Sequence, residues 1–229
     1  MKKRILTSII AVMVSASLIS CSALPGNNKK SENTSTETVD RYAKLKGEWA
    51  KDTTKADFDK KYNELLKAME KQTDDYGLKY DKKSSINDKD KSNTITDSYI
   101  VVLQDKPEEN KLESFYFGEK VSTGDNMTGQ IYLKASLKFD GKTALKKEKF
   151  DFGDTSIAKY SEIFTGKKDR DYSSINKKII DILKSDSKEG VITSNLDGLY
   201  EEFTITKDYI AYTLETKELT FKTKTELNS

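Results

Sequence analysis

The side chains that most often do chemistry are unevenly supplied in this chain, which has no histidine and a single cysteine, Cys21. Without imidazole there is no Ser-His-Asp or Cys-His nucleophile and no zinc site that needs nitrogen ligands. With one thiol there is no cysteine zinc cage and no internal disulfide. Carboxylates, hydroxyls, amines and phenols remain. Carboxylates fall close together at Asp151 and Asp154 and at Glu201 and Glu202, and a glycosidase needs only two at a suitable separation. In a chain with 34% charged residues, the plainer reading of such pairs is a hydrated surface. Among the aromatics, Phe115, Tyr116 and Phe117 are consecutive, and Tyr209 and Tyr212 differ in parity along a strand-like run. On strands such residues point to both sides, so either both faces are covered or one aromatic is left for a ligand. Tyrosine-rich sheet faces can take sugars, peptides or lipid. Phe115, Tyr116, Phe117, Tyr209 and Tyr212 are therefore the candidate ligand contacts, with a core seen from two sides as the competing explanation.

Two Ser-x-x-Lys sequences on predicted helices, Ser156-Ile157-Ala158-Lys159 and Ser174-Ile175-Asn176-Lys177, resemble the acyl-serine site of penicillin-binding proteins, where a lysine one helical turn on assists the nucleophile. The resemblance goes no further, because the Lys-Thr-Gly element is missing. An activating lysine must also lose its proton, which takes burial or a neighbouring cation. Lys159 and Lys177 lie outside the apolar stripes of their helices and are expected to face water. Asp88, Asp90 and Ser92 occupy positions 1, 3 and 5 of an EF-hand-like loop, with Ile95 at the apolar position 8. Asn93 stands where the turn needs glycine and Tyr99 where a glutamate should close the cage, so a hydrated loop is expected instead. No catalytic, cofactor or metal residue is assigned.

The one specific motif is at the start of the chain. Lys2, Lys3 and Arg4 precede an uncharged apolar run over residues 5–19, the layout of a secretion signal. That run is shorter than the roughly 20 apolar residues needed to cross a hydrocarbon core. It ends in Leu18-Ile19-Ser20-Cys21, which resembles the lipobox of bacterial lipoproteins. The resemblance covers the leader alone. It implies cleavage between Ser20 and Cys21, diacylglycerol on the Cys21 sulfur, and a chain held on the outer side of the cytoplasmic membrane. Two acyl chains, at about 0.8 kcal/mol per buried methylene, hold a protein to a bilayer durably. The bias towards Lys, Asn, Ser and Ile, with two prolines, is similar to that of lipoproteins from low-GC Gram-positive bacteria.

Three of the 40 Lys and Arg residues lie in this leader and none of the 38 Asp and Glu, so the remainder carries 37 basic against 38 acidic side chains, a net −1. That balance, and the lack of aromatics interleaved with arginine, argues against a nucleic-acid partner.

Residues 22–38 are polar and aperiodic and contain Pro25 and Gly26, the composition of a flexible tether with a reach of roughly 20 to 25 Å. A domain over residues 39–229 is expected to follow. Val39, Tyr42, Ala43, Trp49 and Ala50 suggest one helix, broken at Gly47. Phe58, Tyr62, Leu65, Leu66 and Met69 predict a second, capped by Thr54 with Asp57 in its first turn. Residues 81–98 read as a polar loop. Strands are predicted over 99–103, 112–117 and 131–139, the last alternating strictly, with Asp140-Gly141 as a turn and 143–152 as its antiparallel return. Asp154 and Asp171 are candidate caps for helices carrying Ile157, Tyr160 and Phe164, then Ile175, Ile179, Ile182 and Leu183. A meander over 203–205, 209–214 and 219–223 closes the chain. The order predicts an α+β fold: N-terminal helices followed by an antiparallel sheet with a central helical insertion. By elimination, the expected function is a membrane-anchored extracytoplasmic lipoprotein that binds a protein, peptide or envelope ligand without catalysis. An envelope hydrolase using carboxylates or a Ser-Lys pair, and a lipid carrier with an apolar groove, are the alternatives.

Overall fold

In the computed structural model, residues 40–90, 93–124 and 127–227 are described. The leader, Cys21, the tether and Val39 lie outside the described residues. The fold is α+β, as the sequence order predicts. One long helix, α1 (Lys55–Asp75), precedes four strands, β1 (Asp81–Asp90), β2 (Asn93–Leu103), β3 (Leu112–Thr123) and β4 (Thr128–Lys138). Three helices follow, α2 (Gly141–Lys147), α3 (Ser156–Thr165) and α4 (Ser173–Lys184). The chain then returns as β5 (Gly190–Leu196), β6 (Leu199–Ile205), β7 (Tyr209–Thr216), the short β8 (Leu219–Thr220) and α5 (Lys224–Leu227). All strand pairs are antiparallel, in the order β1-β2-β3-β4-β7-β6-β5, with β8 pairing β4 beside β7.

The α1 stripe is the predicted one. Phe58, Tyr62 and Met69 are buried, and Thr54 caps the helix by accepting from the Asp57 amide at 3.0 Å. The stripe packs on the sheet through Tyr62, whose ring stacks on Phe117, and on α3 through Thr73, whose hydroxyl meets that of Tyr160 at 3.0 Å. Helix α3 adds Ile157, Tyr160 and Phe164 to the same core, and α4 adds Ile175, Ile179 and Leu183. All of this apolar surface meets one face of the sheet. Register places Phe115, Ala135, Tyr212 and Phe203 in one row of that face, and Ile100, Phe117, Leu133, Leu214 and Glu201 in the next.

Several local expectations fail for identifiable reasons. Residues 81–90 and 93–98 belong not to a loop but to the paired strands β1 and β2; as an edge strand beyond the helical cover, β1 is exposed over Asp81–Asn87 and shows no alternation to read. Asp140 does not start a hairpin: its carboxylate accepts from the Thr143 amide at 2.9 Å and caps α2, so residues 143–152 hold a helix and a connection, not a strand. Thr155, not Asp154, caps α3. Asp171 accepts from the Ser173 amide at 2.8 Å, one position outside the formal cap of α4, Tyr172. In place of a first helix around Trp49 there is a strap that runs to a short 3-10 turn, Glu48–Ala50. It is pinned where Gly47, at a φ of 141°, lies so close to Asp197 that an added Cβ would collide with its backbone. Strand β5, also absent from the sequence reading, lies at the far edge of the sheet.

Candidate functional site

The second face of the sheet carries no helix among the described residues. Alternation along the same strands makes it polar and aromatic. Tyr99, Gly118 and Tyr132 stand side by side on β2, β3 and β4, and Val101, Tyr116, Lys134 and Thr213 form the adjacent row. Gly118 sits at the bottom of this arrangement. A Cβ there would lie 2.6 Å from Tyr99 Cβ and 2.8 Å from the Tyr132 hydroxyl, so the two tyrosines close over the glycine, as aromatic residues do over strand glycines. The Tyr99 and Tyr116 rings lie 6.0 Å apart and both are partly exposed. Tyr132 is buried beneath them and donates to Asp97 Oδ1 at 2.6 Å, while Lys120 and Lys134 each place Nζ 5.6 Å from its ring.

A second aromatic cluster occupies the same face at the β6–β7 side. Here the strap lays Arg41 and Tyr42 over Glu215, whose Oε1 accepts from both at 2.7 Å. The Arg41 guanidinium lies 4.9 Å from the rings of both Tyr42 and Tyr200, and the Tyr200 hydroxyl donates to Glu202. Next to this cluster is a cavity of about 640 Å³ lined by Tyr42, Leu45, Ile95, Lys120 and Gln130 among others. Lys120 reaches both the cavity and the Tyr132 ring, so cavity and tyrosine row form one continuous surface.

The electrostatics of this surface are set by burial and by the carboxylates beside the phenols. Burial, with help from Glu215, pushes the Tyr42 phenol up to about 12. Burial also raises Tyr116, with Tyr99 adding to the effect, and raises Tyr132 and Tyr200 far above the ordinary phenol range, assisted by Asp97 and Glu202. These hydroxyls stay protonated at neutral pH, as donors and not as phenolate nucleophiles.

The sequence candidates separate cleanly. Tyr116 and Tyr209 are on the open face, Tyr209 at 41% exposure. Phe115, Phe117 and Tyr212 are fully buried against α1, α3 and the segment before α3, which removes them from any contact surface in this structure. These aromatics are therefore covered on one side only: one parity fills the core and the other reaches solvent. Tyr99, Tyr132 and Tyr42 were missed because their neighbours come from other strands. A glycine inside the apolar β3 run was the available signal.

Other candidate chemistry is occupied elsewhere. Glu201 and Glu202 point to opposite faces: Glu201 accepts both ends of the Arg170 guanidinium, Ser194 Oγ at 2.5 Å and the Tyr212 hydroxyl at 2.9 Å. Asp151 accepts from the Gly153 amide at 2.9 Å, a local tie, and from the Asn176 side chain of α4 at 3.0 Å. Ser156 and Lys159 line one cleft of about 610 Å³. However, Lys159 is paired with Glu162 at 2.9 Å, and that hydrogen bond raises its pKa. Lys177 is paired with Asp181 at 2.6 Å. Neither lysine is placed to take a serine proton. The side chains of Asp88, Asp90 and Ser92 lie outside the described residues. Among the described residues no group of three or more Asp, Glu, Cys or His is arranged to hold a metal ion. Compared with known proteins, the chain matches no protein family, no curated protein and no solved structure.

Proposed function

We propose that the protein is a lipoprotein anchored through diacylglycerol on Cys21, extracytoplasmic, and a non-catalytic binding module whose contact surface is the open face of the sheet. The observation that carries the reading is the pairing of Tyr99 and Tyr116 on a sheet face without helical cover, next to a cavity shared by Tyr42 and Lys120. Aromatic rings with hydroxyl and ammonium donors between them bind a polar partner with apolar patches, a protein, peptide or envelope polymer. The lipobox supplies the anchor, and no helix among the described residues is long and apolar enough to cross a membrane.

The two rival readings have less support. A Ser-Lys hydrolase needs a lysine free of its proton, and Lys159 is held charged by Glu162. A lipid carrier needs an apolar trough, whereas the open face carries Lys134, Ser136, Thr213 and Glu202 and the apolar face is filled by helices.

Two experiments test the proposal. Fatty-acid labelling in cells should mark the protein and should not mark Cys21→Ala; a labelled alanine variant refutes the anchor. The fluorescently tagged domain, residues 40–229, should bind intact cells of the producing organism, and the double variant Tyr99→Ala, Tyr116→Ala should lose at least tenfold in affinity with an unchanged melting temperature. Undiminished binding refutes the surface.

A further inference from the structure

The two edges of the sheet are built differently. Strand β1 is guarded by charge, with six Asp and Lys residues among the ten of Asp81–Asp90. Charged edges of this kind prevent a foreign strand from pairing. Strand β5, at the opposite edge, reads GVITSNL and has no charged residue. Its Val191 is 56% exposed. Val, Ile and Thr in succession favour extended pairing.

The far end of β5 is closed by the strap, where Trp49 N–H donates to Asp197 O at 3.0 Å. Over Gly190 to Ser194, the outer side of the strand makes no backbone hydrogen bond among the described residues. Helix α4 runs beside this stretch. Lys178, Asp181 and Ile182 of α4, Ser185 just past its end, and Val191, Ile192 and Thr193 of β5 line an open groove of about 470 Å³. A helix lying next to an uncharged edge strand, with a groove between them floored by Ile182 and Ile192 and flanked by Lys178 and Asp181, is the geometry in which a peptide adds as an extra strand: its main chain pairs with the edge and alternate side chains enter the slot.

We propose that β5 and α4 take an extended segment of a partner protein by strand addition, with β-branched apolar side chains of that segment entering the slot over Ile182 and Ile192. A second copy of this chain is the weaker occupant. Five free residues span about 17 Å, and at a width of about 10 Å the contact covers roughly 170 Å² a side, against about 800 Å² per partner in stable complexes. A peptide strand, not fixed in a sheet of its own, can pair with the same edge and also settle its alternate side chains into the groove against α4. The site is separate from the open face, and either surface can fail its test without the other.

The test uses the full chain and a short acetylated, fluorescein-labelled peptide alternating valine with threonine, with a terminal lysine for solubility. Saturable anisotropy is expected, with amide shifts confined to β5 and α4. N-methylation of alternate peptide residues, which removes main-chain donors and keeps the side chains, should weaken binding at least tenfold. Ile182→Lys, a change at a partly exposed position, should do the same without altering the melting temperature. Equal affinity for the N-methylated peptide, shifts outside β5 and α4, or no binding of the parent peptide would overturn the proposal. So would a dimer in sedimentation that Ile182→Lys dissolves, since the edge would then belong to a second copy.

Discussion

Neighbouring strands β6 and β7 carry the same motif twice, once on each face. On the helix-covered face, Arg170 grips Glu201 with both ends of its guanidinium beside Tyr172 and Tyr212. On the open face, Arg41 reaches Glu215 between Tyr42 and Tyr200. Both glutamates are buried, but the arginines differ: the Arg170 side chain is 17% exposed and that of Arg41 is 47%. Around Arg170, burial works against the charge and the Glu201 contact more than offsets it, leaving the guanidinium firmly protonated. Because Glu201 can only accept, Tyr212 must donate to it and can accept from Ser161, 2.8 Å away. That network joins α3, β5, β6, β7 and the chain before α4. The Arg41 cluster ties one strap to the sheet at the rim of a cavity. Identical side chains therefore form an internal brace on one face and a latch at the rim of an open surface on the other, and water makes the difference.

The largest expected contrast between the faces is at two adjacent residues of β4. Leu133→Asp places an unpaired carboxylate among fully buried side chains and should cost about 5 kcal/mol or more, enough to unfold the domain. Lys134→Asp, on the open face, should stay within about 0.5 kcal/mol in urea denaturation. Equal effects would refute the assigned register. Next comes the pair of arginines. Arg170→Ala leaves Glu201 buried without its main partner and should cost about 3 to 5 kcal/mol. Arg41→Ala, its half-exposed equivalent, should cost about 1 kcal/mol or less after solvent screening. If the two costs are equal, the distinction between brace and latch is wrong.

A smaller effect sharpens the boundary of the dry face. Glu119 lies on that face near α1, and its Oε2 has no hydrogen-bond partner. Burial, reinforced by Asp59 and opposed by Lys55, pushes its carboxyl up to about 7. An unfolded glutamate titrates near 4.3, so between those values the folded chain holds a proton that the unfolded chain has released. Stability from this group is full below the unfolded value and lost as pH rises to about 7, by on the order of 2 kcal/mol. Denaturation at about pH 5 and about pH 8 should show the fall, and Glu119→Gln should remove it. A parent and variant with identical pH profiles would contradict this.

What the sequence revealed follows the same division. The α1 stripe and the odd residues of β4 were legible because each repeats one period over several turns or residues against a single dry surface. Helix α2 was misread because Asp140-Gly141 serves equally as turn and as cap, and only the Thr143 amide decides between them. Strand β1 gave no signal because water wets both of its sides. The candidate site was half visible. Tyr116 was reached by parity, but its neighbours Tyr99 and Tyr132 are brought to it by cross-strand register, which no local pattern encodes.

The central claim, that the open face is the contact surface, is tested most directly by tyrosine nitration mapped by mass spectrometry on purified protein and on protein displayed by intact cells. Tyr76, 42% exposed beside α1 and away from the open face, should be nitrated in both settings, and buried Tyr160 and Tyr212 in neither. Tyr99 and Tyr116 should react in the purified protein and be protected on cells. Nitration of Tyr99 and Tyr116 to the same extent in both settings, or protection that falls on Tyr76 instead, would contradict the account.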